Sequence, residues 1–176
     1  MPKDAAAATI VYAAKTCRLA PAAYTTDRHR FLSLIDGNPG GNQAPPEDTA
    51  ALEEALALYR GEYLSELDYP WVVQEREHLG RLYLEAAIRL ARLYLQNRQE
   101  IKTVRVLAPL AEKNPLREEI AGLLMSAYAG LGDRPAVVAL YQQLKLNLDR
   151  ELGLEPAPEI TRLYYQLCGS RASDTA

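Results

Sequence analysis

Two five-residue stretches, Leu90-Ala91-Arg92-Leu93-Tyr94 and Leu124-Met125-Ser126-Ala127-Tyr128, decide the fold of this 176-residue chain. They align when Leu90 is placed on Leu124, and this displacement is called the repeat shift below. It aligns further apolar residues on either side, namely Ala87 with Ala121, Val104 with Val138, and Leu110 with Leu144. The region from Leu82 to Asp149 therefore contains the same unit twice.

Each copy has the apolar spacing of two amphipathic helices. The repeat shift matches the period of about 34 residues that characterises the tetratricopeptide helix-turn-helix unit, which buries its apolar face only by stacking on neighbouring units. The sequence thus predicts an all-α fold, a tetratricopeptide-like antiparallel helical repeat stack. Such a stack is first of all a scaffold for protein interactions.

The composition is that of a folded globular chain, with 48% hydrophobic and 24% charged residues. A net charge of -3 provides no overall attraction to nucleic acid or to an anionic membrane. We find no signal sequence and no run of about 18 apolar residues, which predicts a cytoplasmic protein without membrane contact. Cys17 and Cys168 lack a second thiol at a suitable spacing, and we interpret both as cytosolic thiols.

Residues Ile10–Leu19 alternate between apolar and polar like two short strands around a turn. The sequence therefore adds a short N-terminal β-hairpin to the helical stack. An isolated two-stranded hairpin is marginal in water. Either it packs on the helices, or it is the end of a sheet whose other strands are missing.

The helix boundaries follow from capping residues and from glycine and proline. A short helix over 27–35 would be capped by Thr25 or Thr26, and a mobile loop of Gly, Pro and Asn separates it from a helix over 47–60. The repeat helices are predicted over 71–96 and 100–112, then from Asn114 as N-cap, and then from Asp133 as cap to a left-handed Gly153. A last helix opened by Pro156 and Pro158 would cap the stack.

Catalytic chemistry has no support in this sequence. His29 and His78 each lack a partner at the spacing of a metal site or a catalytic pair. The acidic residues alternate with basic ones along the helices, which is typical of a solvated face, and no glycine motif could hold a phosphate. We therefore predict no enzyme activity, no cofactor and no metal.

Four aromatic residues are predicted to be structural. Trp71 opens a long amphipathic helix, where a single tryptophan is more often part of the core than a binding anchor. Tyr94, Tyr128 and Tyr141 lie at inward positions of the repeat. Tyr94 and Tyr128 are equivalent by the repeat shift, and both are predicted to be largely buried.

The first helix of each repeat should line the concave side of the stack. The residues placed there are Glu85, Ile88, Arg92, Leu95, Glu119, Gly122 and Ser126. This mixture suits a peptide or a helix better than a nucleotide, whose phosphates would need more than one arginine. The alternative is that Gly122 and Ser126 are small because a neighbouring helix, such as the one over 47–60, packs over them. The sequence leaves both open.

Several short motifs, in this order and spacing, resemble the bacterial transcriptional activator domain of the Streptomyces antibiotic regulatory protein family and its relatives. The motifs are Ala55–Gly61, Trp71 with Glu75-Arg76, Pro115 with Glu118-Glu119, Leu124-Met125, Tyr128, Gly132, Tyr141 and Glu151–Pro156. The resemblance covers residues 27–167. The chain departs from the tetratricopeptide consensus at Ala87 and Ala121, where an early tryptophan is usual.

In that family the helical module follows a winged helix-turn-helix DNA-binding domain, and the resemblance implies the same arrangement here. Residues 1–25 would be a hairpin remnant of that domain, 26–168 the module, and 169–176 a disordered tail. The recognition helix is absent, so no specific DNA binding by these residues is expected. The implied function is a regulatory and protein-interaction module that positions or dimerises a DNA-binding domain outside this chain.

The implied partners are the winged helix-turn-helix domain of a parent protein, RNA polymerase, and a second copy of the chain. Two other functions stay open at this point. One is a free-standing tetratricopeptide-like adaptor with no role in transcription. The other is a sensor that binds a small ligand on the concave helical surface.

Overall fold

The computed structural model describes residues 10–13, 16–19, 25–36 and 48–169. Strands β1 (Ile10–Ala13) and β2 (Thr16–Leu19) pair antiparallel, with Ile10 opposite Leu19 and Ala13 opposite Thr16. The predicted mobile loop before α2 and the predicted disordered tail lie almost wholly outside the described residues. Whether the paired strands close a winged domain stays a prediction.

The described residues contain seven α-helices. They are α1 (Asp27–Asp36), α2 (Thr49–Leu58), α3 (Pro70–Gln96), α4 (Glu100–Lys113), α5 (Glu118–Gly130), α6 (Arg134–Leu152) and α7 (Pro158–Gly169). Each helix packs against the next one in the chain, and α5 also packs against α3 on one side and α7 on the other. This is the arrangement of stacked helix pairs, and it confirms the predicted helical repeat fold.

The backbone repeats with the period read from the sequence. The repeat shift carries Gln96, the last residue of α3, onto Gly130, the last residue of α5. It also carries Glu100, the first residue of α4, onto Arg134, the first residue of α6. The two turns between paired helices are therefore equivalent in position.

The core is a series of clusters along the stack. The first joins α1, α2 and α3 through residues such as Phe31, Leu52 and Leu90, which are at most 3% exposed. The second joins α3, α4 and α5 around Leu107 and Ile120, both 0% exposed. A third, smaller cluster of Ala121, Leu144 and Leu148 contacts Ile160 of α7. Each helix pair thus buries its apolar face only against its neighbours.

Three predicted caps are confirmed. Thr26 Oγ1 accepts a hydrogen bond from the His29 backbone N–H (3.1 Å) at the start of α1. Asp133 caps α6 by accepting from the Ala136 N–H (3.1 Å). Gly153 has a φ of 65° at the end of α6, a left-handed conformation that glycine adopts without steric cost.

Two predicted helix starts are wrong. Asn114 does not begin α5 but closes α4, because its side-chain amide donates to the Leu110 carbonyl (2.8 Å) and a turn separates it from Glu118. Helix α2 is shorter than the predicted 47–60. It begins at Thr49 because Asp48 is the N-cap, accepting from the Ala50 N–H (2.9 Å).

Trp71 is not a core residue, and that prediction is wrong. Its side chain is 59% exposed, whereas the next residue, Val72, is 0% exposed. Both lie in the first turn of α3, where one step along the helix rotates the side chain by about 100°. Val72 therefore takes the inward position that the sequence assigns to the tryptophan.

Candidate interaction surfaces

The predicted concave groove is bridged by an ion pair. Arg92 of α3 and Glu119 of α5 are joined by a hydrogen-bonded salt bridge, and their side chains are 54% and 41% exposed. Such an exposed pair contributes at most about 1 kcal/mol to stability. Together with exposed Glu85 and half-buried Leu95 it forms a charged, accessible strip along the two helices. This strip of Glu85, Arg92, Leu95 and Glu119 is called the α3–α5 strip below.

Ile88 does not belong to this surface, although the sequence placed it there. It is 4% exposed and lies in the cluster that joins α3, α4 and α5. Because α3 packs against both of these helices, the apolar side chain at this position is enclosed. It cannot contact a partner.

Gly122 is also covered, but by α7 rather than by the helix over 47–60. A Cβ atom at Gly122 would lie 3.1 Å from Ile160 Cδ1 and 3.5 Å from Leu163 Cδ2. Half-buried Ser126 donates from Oγ to the Gly122 carbonyl (2.9 Å), so its hydroxyl is satisfied within α5. The absence of a side chain at Gly122 therefore lets α7 pack closely on α5. Of the two alternatives left open by the sequence, packing by a neighbouring helix is the correct one, but that helix is α7.

Helix α7 is held against α5 and α6 by hydrogen bonds and by aromatic stacking. The Ala157 N–H donates to Glu118 Oε2 (2.7 Å), which ties the segment before α7 to the start of α5. Tyr141 of α6 stacks on Tyr164 with ring centroids 4.1 Å apart. The Tyr141 hydroxyl also lies 3.1 Å from Thr161 Oγ1. Half-buried Tyr141 thus joins α6 to α7.

Tyr94 is the centre of a polar contact between three helices. Its ring is 4% exposed, and its hydroxyl donates to the Glu53 carboxylate of α2. Lys102 of α4 approaches the same carboxylate (Nζ to Oε1 3.2 Å) and lies 5.0 Å from the centre of the Tyr94 ring. Tyr128, at the equivalent repeat position, is only half-buried, so the prediction that both are largely buried is right for Tyr94 alone.

The contact shifts the pKa values of both Tyr94 and Glu53. Burial and the hydrogen bond to Glu53 raise the pKa of Tyr94. The hydrogen bonds from Tyr94 and then from Lys102 lower the pKa of Glu53. A hydroxyl that keeps its proton beside an ionised carboxylate is a structural link and not a nucleophile with its base.

Sequence reasoning missed a second surface, in the segment that connects α2 to α3. The Arg76 guanidinium donates to three backbone carbonyls of this segment, those of Tyr63 (2.9 Å), Leu64 (2.7 Å) and Leu67 (2.7 Å). Leu64 itself has a φ of 46°, which is uncommon for a residue with a side chain. Three charge-assisted hydrogen bonds from one side chain hold this segment in a fixed shape.

The fixed segment displays apolar side chains to solvent. Leu64 and Leu67 are 40% and 39% exposed, and Tyr69 and Trp71 are each 59% exposed. The same segment carries three exposed carboxylates, Glu62, Glu66 and Asp68, which make no ion pair with any described residue. These seven side chains are called the link surface. Their alternation of acidic and apolar residues was the signal available in the sequence.

A cleft of about 370 Å³ adjoins the link surface. Phe31, Leu58 and Leu79 lie along its walls, and it is also bounded by Leu64 of the link surface. Two other open clefts lie elsewhere, one of 380 Å³ between α4, α5 and α6, and one of 470 Å³ beside α5 and α7. The described residues bring together no group of His, Cys, Asp or Glu that could hold a metal ion.

The fold defines a class of protein, a scaffold of stacked helix pairs. Residues 26–168 match the sequence profile of the bacterial transcriptional activator domain, and the chain belongs to that family. In the described residues, no helix has the length and apolar character needed to cross a membrane.

The relatives that the chain resembles are named as regulators. It is 28% identical over 116 residues to the regulatory protein AfsR of Streptomyces griseus, and these residues are 66% of this chain but 12% of AfsR. It is 30% identical over 117 residues to the transcriptional regulatory protein MoaR1 of Mycobacterium tuberculosis, again 66% of this chain and 38% of MoaR1. The chain therefore spans much less than half the length of these relatives.

A solved structure shares the fold. The structure of Mycobacterium tuberculosis EmbR in complex with a low affinity phosphopeptide superposes with a TM-score of 0.70 and 19% sequence identity. The match covers 94% of this chain and 45% of the EmbR chain. At this identity the likeness concerns the fold alone.

Proposed function

We propose that this chain is the regulatory and protein-interaction module of a bacterial transcription activator, which positions or dimerises a DNA-binding domain outside the chain. In this proposal residues 1–25 are the end of an adjoining winged helix-turn-helix domain, and 26–168 form the module. Residues 169–176 are a disordered tail. Membership in the transcriptional activator family favours this function over a free-standing adaptor.

The observation that carries the proposal is the attachment of α1 to α3. Arg28, in the first turn of α1, pairs with Glu75 of α3 through two atoms (Nε 2.7 Å and Nη2 2.6 Å to Oε1). Phe31 and Leu79, each 3% exposed, lie in the same core cluster one turn further along each helix. Helix α1, the first helix after the paired strands, packs on α2 and is joined to α3 by this ion pair and by the shared core cluster. In this proposal, these contacts position a domain that is joined to α1.

The α3–α5 strip is the proposed partner surface of the module. It keeps four of the residues expected from the sequence and excludes buried Ile88 and the pair Gly122 and Ser126 beside α7. Its exposed acids, its exposed arginine and its half-buried leucine suit a helix or peptide of RNA polymerase or of a second copy of the chain.

Gel-shift assays with duplex DNA at physiological salt test whether sequence-specific DNA binding requires a domain outside this chain. A chain with net charge -3, whose described residues contain no helix before the paired strands, should bind weakly and without sequence preference. The parent protein should bind tightly to specific sites. Tight, sequence-specific binding by the 176 residues alone would overturn the proposal, and so would a coding sequence with no winged helix-turn-helix before residue 1.

The α3–α5 strip is tested with the double variant Glu85→Lys with Arg92→Glu, measured for binding to RNA polymerase and to the parent's DNA-binding domain. We expect weaker binding with an unchanged circular dichroism spectrum. A matched control, Arg92→Glu with Glu119→Arg, restores the ion pair in reverse and separates loss of the pair from loss of the surface. Unchanged affinity of the first variant for both partners would remove the strip as the functional surface.

A further inference from the structure

The link surface combines features that a solvent-facing connection does not need. Four large apolar side chains, two of them 59% exposed, stand on a backbone that Arg76 holds at three carbonyls. Clustered exposed apolar residues on a folded protein mark interaction sites. Tryptophan and tyrosine are also the residues that contribute most to binding when they are buried in an interface.

The charges of this surface decide what kind of partner it fits. Glu62, Glu66 and Asp68 are exposed and make no ion pair within the described part of the chain. The nearby cations are Arg60, which is exposed and makes no ion pair with a described residue, and Arg76, whose guanidinium is already used by the backbone carbonyls. The surface therefore keeps an excess of carboxylates, which favours a partner that supplies lysine or arginine and disfavours nucleic acid and anionic lipid.

The cleft next to the link surface could accept part of the same partner. Its volume of about 370 Å³ has room for one large side chain, and its lining combines apolar Phe31, Leu58 and Leu79 with charged Arg28, Arg60 and Glu62. Leu64 belongs to both the cleft and the link surface, so one ligand could contact both. A helix with an apolar stripe is a common ligand for such a surface.

We infer that the link surface and its cleft bind a partner protein through an amphipathic helix whose apolar stripe is flanked by lysine or arginine. The apolar stripe covers Trp71, Tyr69 and Leu67, and one of its side chains enters the cleft. The flanking cations pair with Glu62, Glu66 and Asp68. This goes beyond the proposed function, because it uses the opposite end of α3 from the α3–α5 strip and requires no DNA-binding domain.

The test uses the full chain and two synthetic five-turn helical peptides with the same Leu and Trp stripe, one flanked by lysine and the other by glutamate. Titration calorimetry measures affinity, and NMR shifts of backbone amides map the site. We expect the lysine peptide to bind at residues 62–71, and Trp71→Ala to weaken it about tenfold or more, as for other aromatic anchors. The glutamate peptide should bind at least tenfold more weakly.

Two further variants keep the inference falsifiable. Glu66→Lys with Asp68→Lys removes no apolar area and should still lower the affinity for the lysine peptide while raising that for the glutamate peptide. Arg76→Ala leaves all seven side chains of the link surface in place and should weaken binding by loosening their support. The inference is overturned if both peptides bind equally, or if the NMR shifts map elsewhere. It is likewise overturned if sedimentation shows a dimer of the chain that Trp71→Ala dissociates, or if anionic vesicles bind in preference to the lysine peptide.

Discussion

Arg98 and Gly132 are equivalent by the repeat shift and have the same left-handed backbone, with φ of 53° and 77°. Each follows the end of the first helix in its pair. In each turn the next residue's N–H returns to the carbonyl of the repeated tyrosine, from Gln99 to Tyr94 (2.8 Å) and from Asp133 to Tyr128 (2.9 Å). This is the hydrogen bond of a Schellman motif, which favours glycine at the left-handed position. One copy of the repeat satisfies that preference and the other does not.

The mismatch at this position predicts opposite effects of two substitutions. Arg98→Gly should relieve a strain of about 1–2 kcal/mol. The greater chain entropy of glycine offsets about 0.5–1 kcal/mol of this, which leaves a net gain of about 0.5–1 kcal/mol. Gly132→Ala should destabilise by about 1 kcal/mol or more, since alanine resists a positive φ. Urea unfolding measures both. A loss of stability in Arg98→Gly would contradict this interpretation of the turn.

The two repeated tyrosines should differ in their contribution to stability. Tyr94 is 4% exposed and hydrogen-bonded, so Tyr94→Ala should cost about 3–5 kcal/mol, as for other large core truncations. Tyr128 is half-buried, and Tyr128→Ala should cost about 1–2 kcal/mol, near the centre of the range for single substitutions. Urea unfolding again decides. Equal losses of unfolding free energy would contradict the difference in burial between the two tyrosines.

The contact between Tyr94, Glu53 and Lys102 predicts a dependence of stability on pH. In the folded state the pKa of Glu53 lies below its ordinary value of 4.5. A carboxyl with a depressed folded pKa contributes stability above its unfolded pKa and loses that contribution as the pH falls through the folded pKa. The unfolding free energy of the parent should therefore exceed that of Glu53→Gln above pH 4.5, and the gap should narrow in more acidic buffer.

The control for this measurement is Glu62→Gln, which removes a carboxylate that makes no ion pair within the described residues. Its difference from the parent should be small, because the Glu62 side chain is exposed. Tyr94→Phe should reproduce most of the Glu53→Gln profile, because it removes the hydrogen bond that lowers the pKa of Glu53 most. A pH-independent gap for Glu53→Gln would show that the carboxylate is not held as described.

The close packing of α7 on Gly122 predicts that two substitutions compensate each other. A Cβ at Gly122 would already be 3.1 Å from Ile160 Cδ1, so Gly122→Leu should force α7 outward and cost about 1–3 kcal/mol. Adding Ile160→Ala vacates the space that the leucine needs. The loss of unfolding free energy in the double variant should therefore be smaller than the sum of the two single losses, by about 0.5 kcal/mol or more. Additive costs in urea unfolding would place the contact elsewhere.

The sequence predicted the repeat well because its information is local and periodic. The apolar spacing and the caps at Thr26, Asp133 and Gly153 act within a few residues of their own helix. The prediction for Asn114 is wrong because the same side chain can begin a helix or close one. Only the position of Glu118, a turn later, decides between the two.

The candidate surfaces were harder to predict because they depend on contacts between distant helices. The exposure of Trp71 is an exception, because Val72 lies about two turns before buried Leu79 and the helical spacing alone therefore places Val72, not Trp71, on the inward face. The role of Arg76 depends on a connection that folds back until three carbonyls meet one guanidinium. The covering of Gly122 depends on α7, which begins only at Pro158, beyond the whole of α6.

The repetition of α3 as α5 and of α4 as α6 has a meaning for how such chains change length. Each pair contacts only the pairs on either side, so a copied unit would find the same neighbours as the original. Duplication of one segment between two such turns would lengthen the stack by a whole helix pair and leave α1 and α7 at its ends. The distance between whatever is joined to α1 and whatever is joined to α7 can thus be adjusted in fixed steps by gene duplication, without redesign of the core.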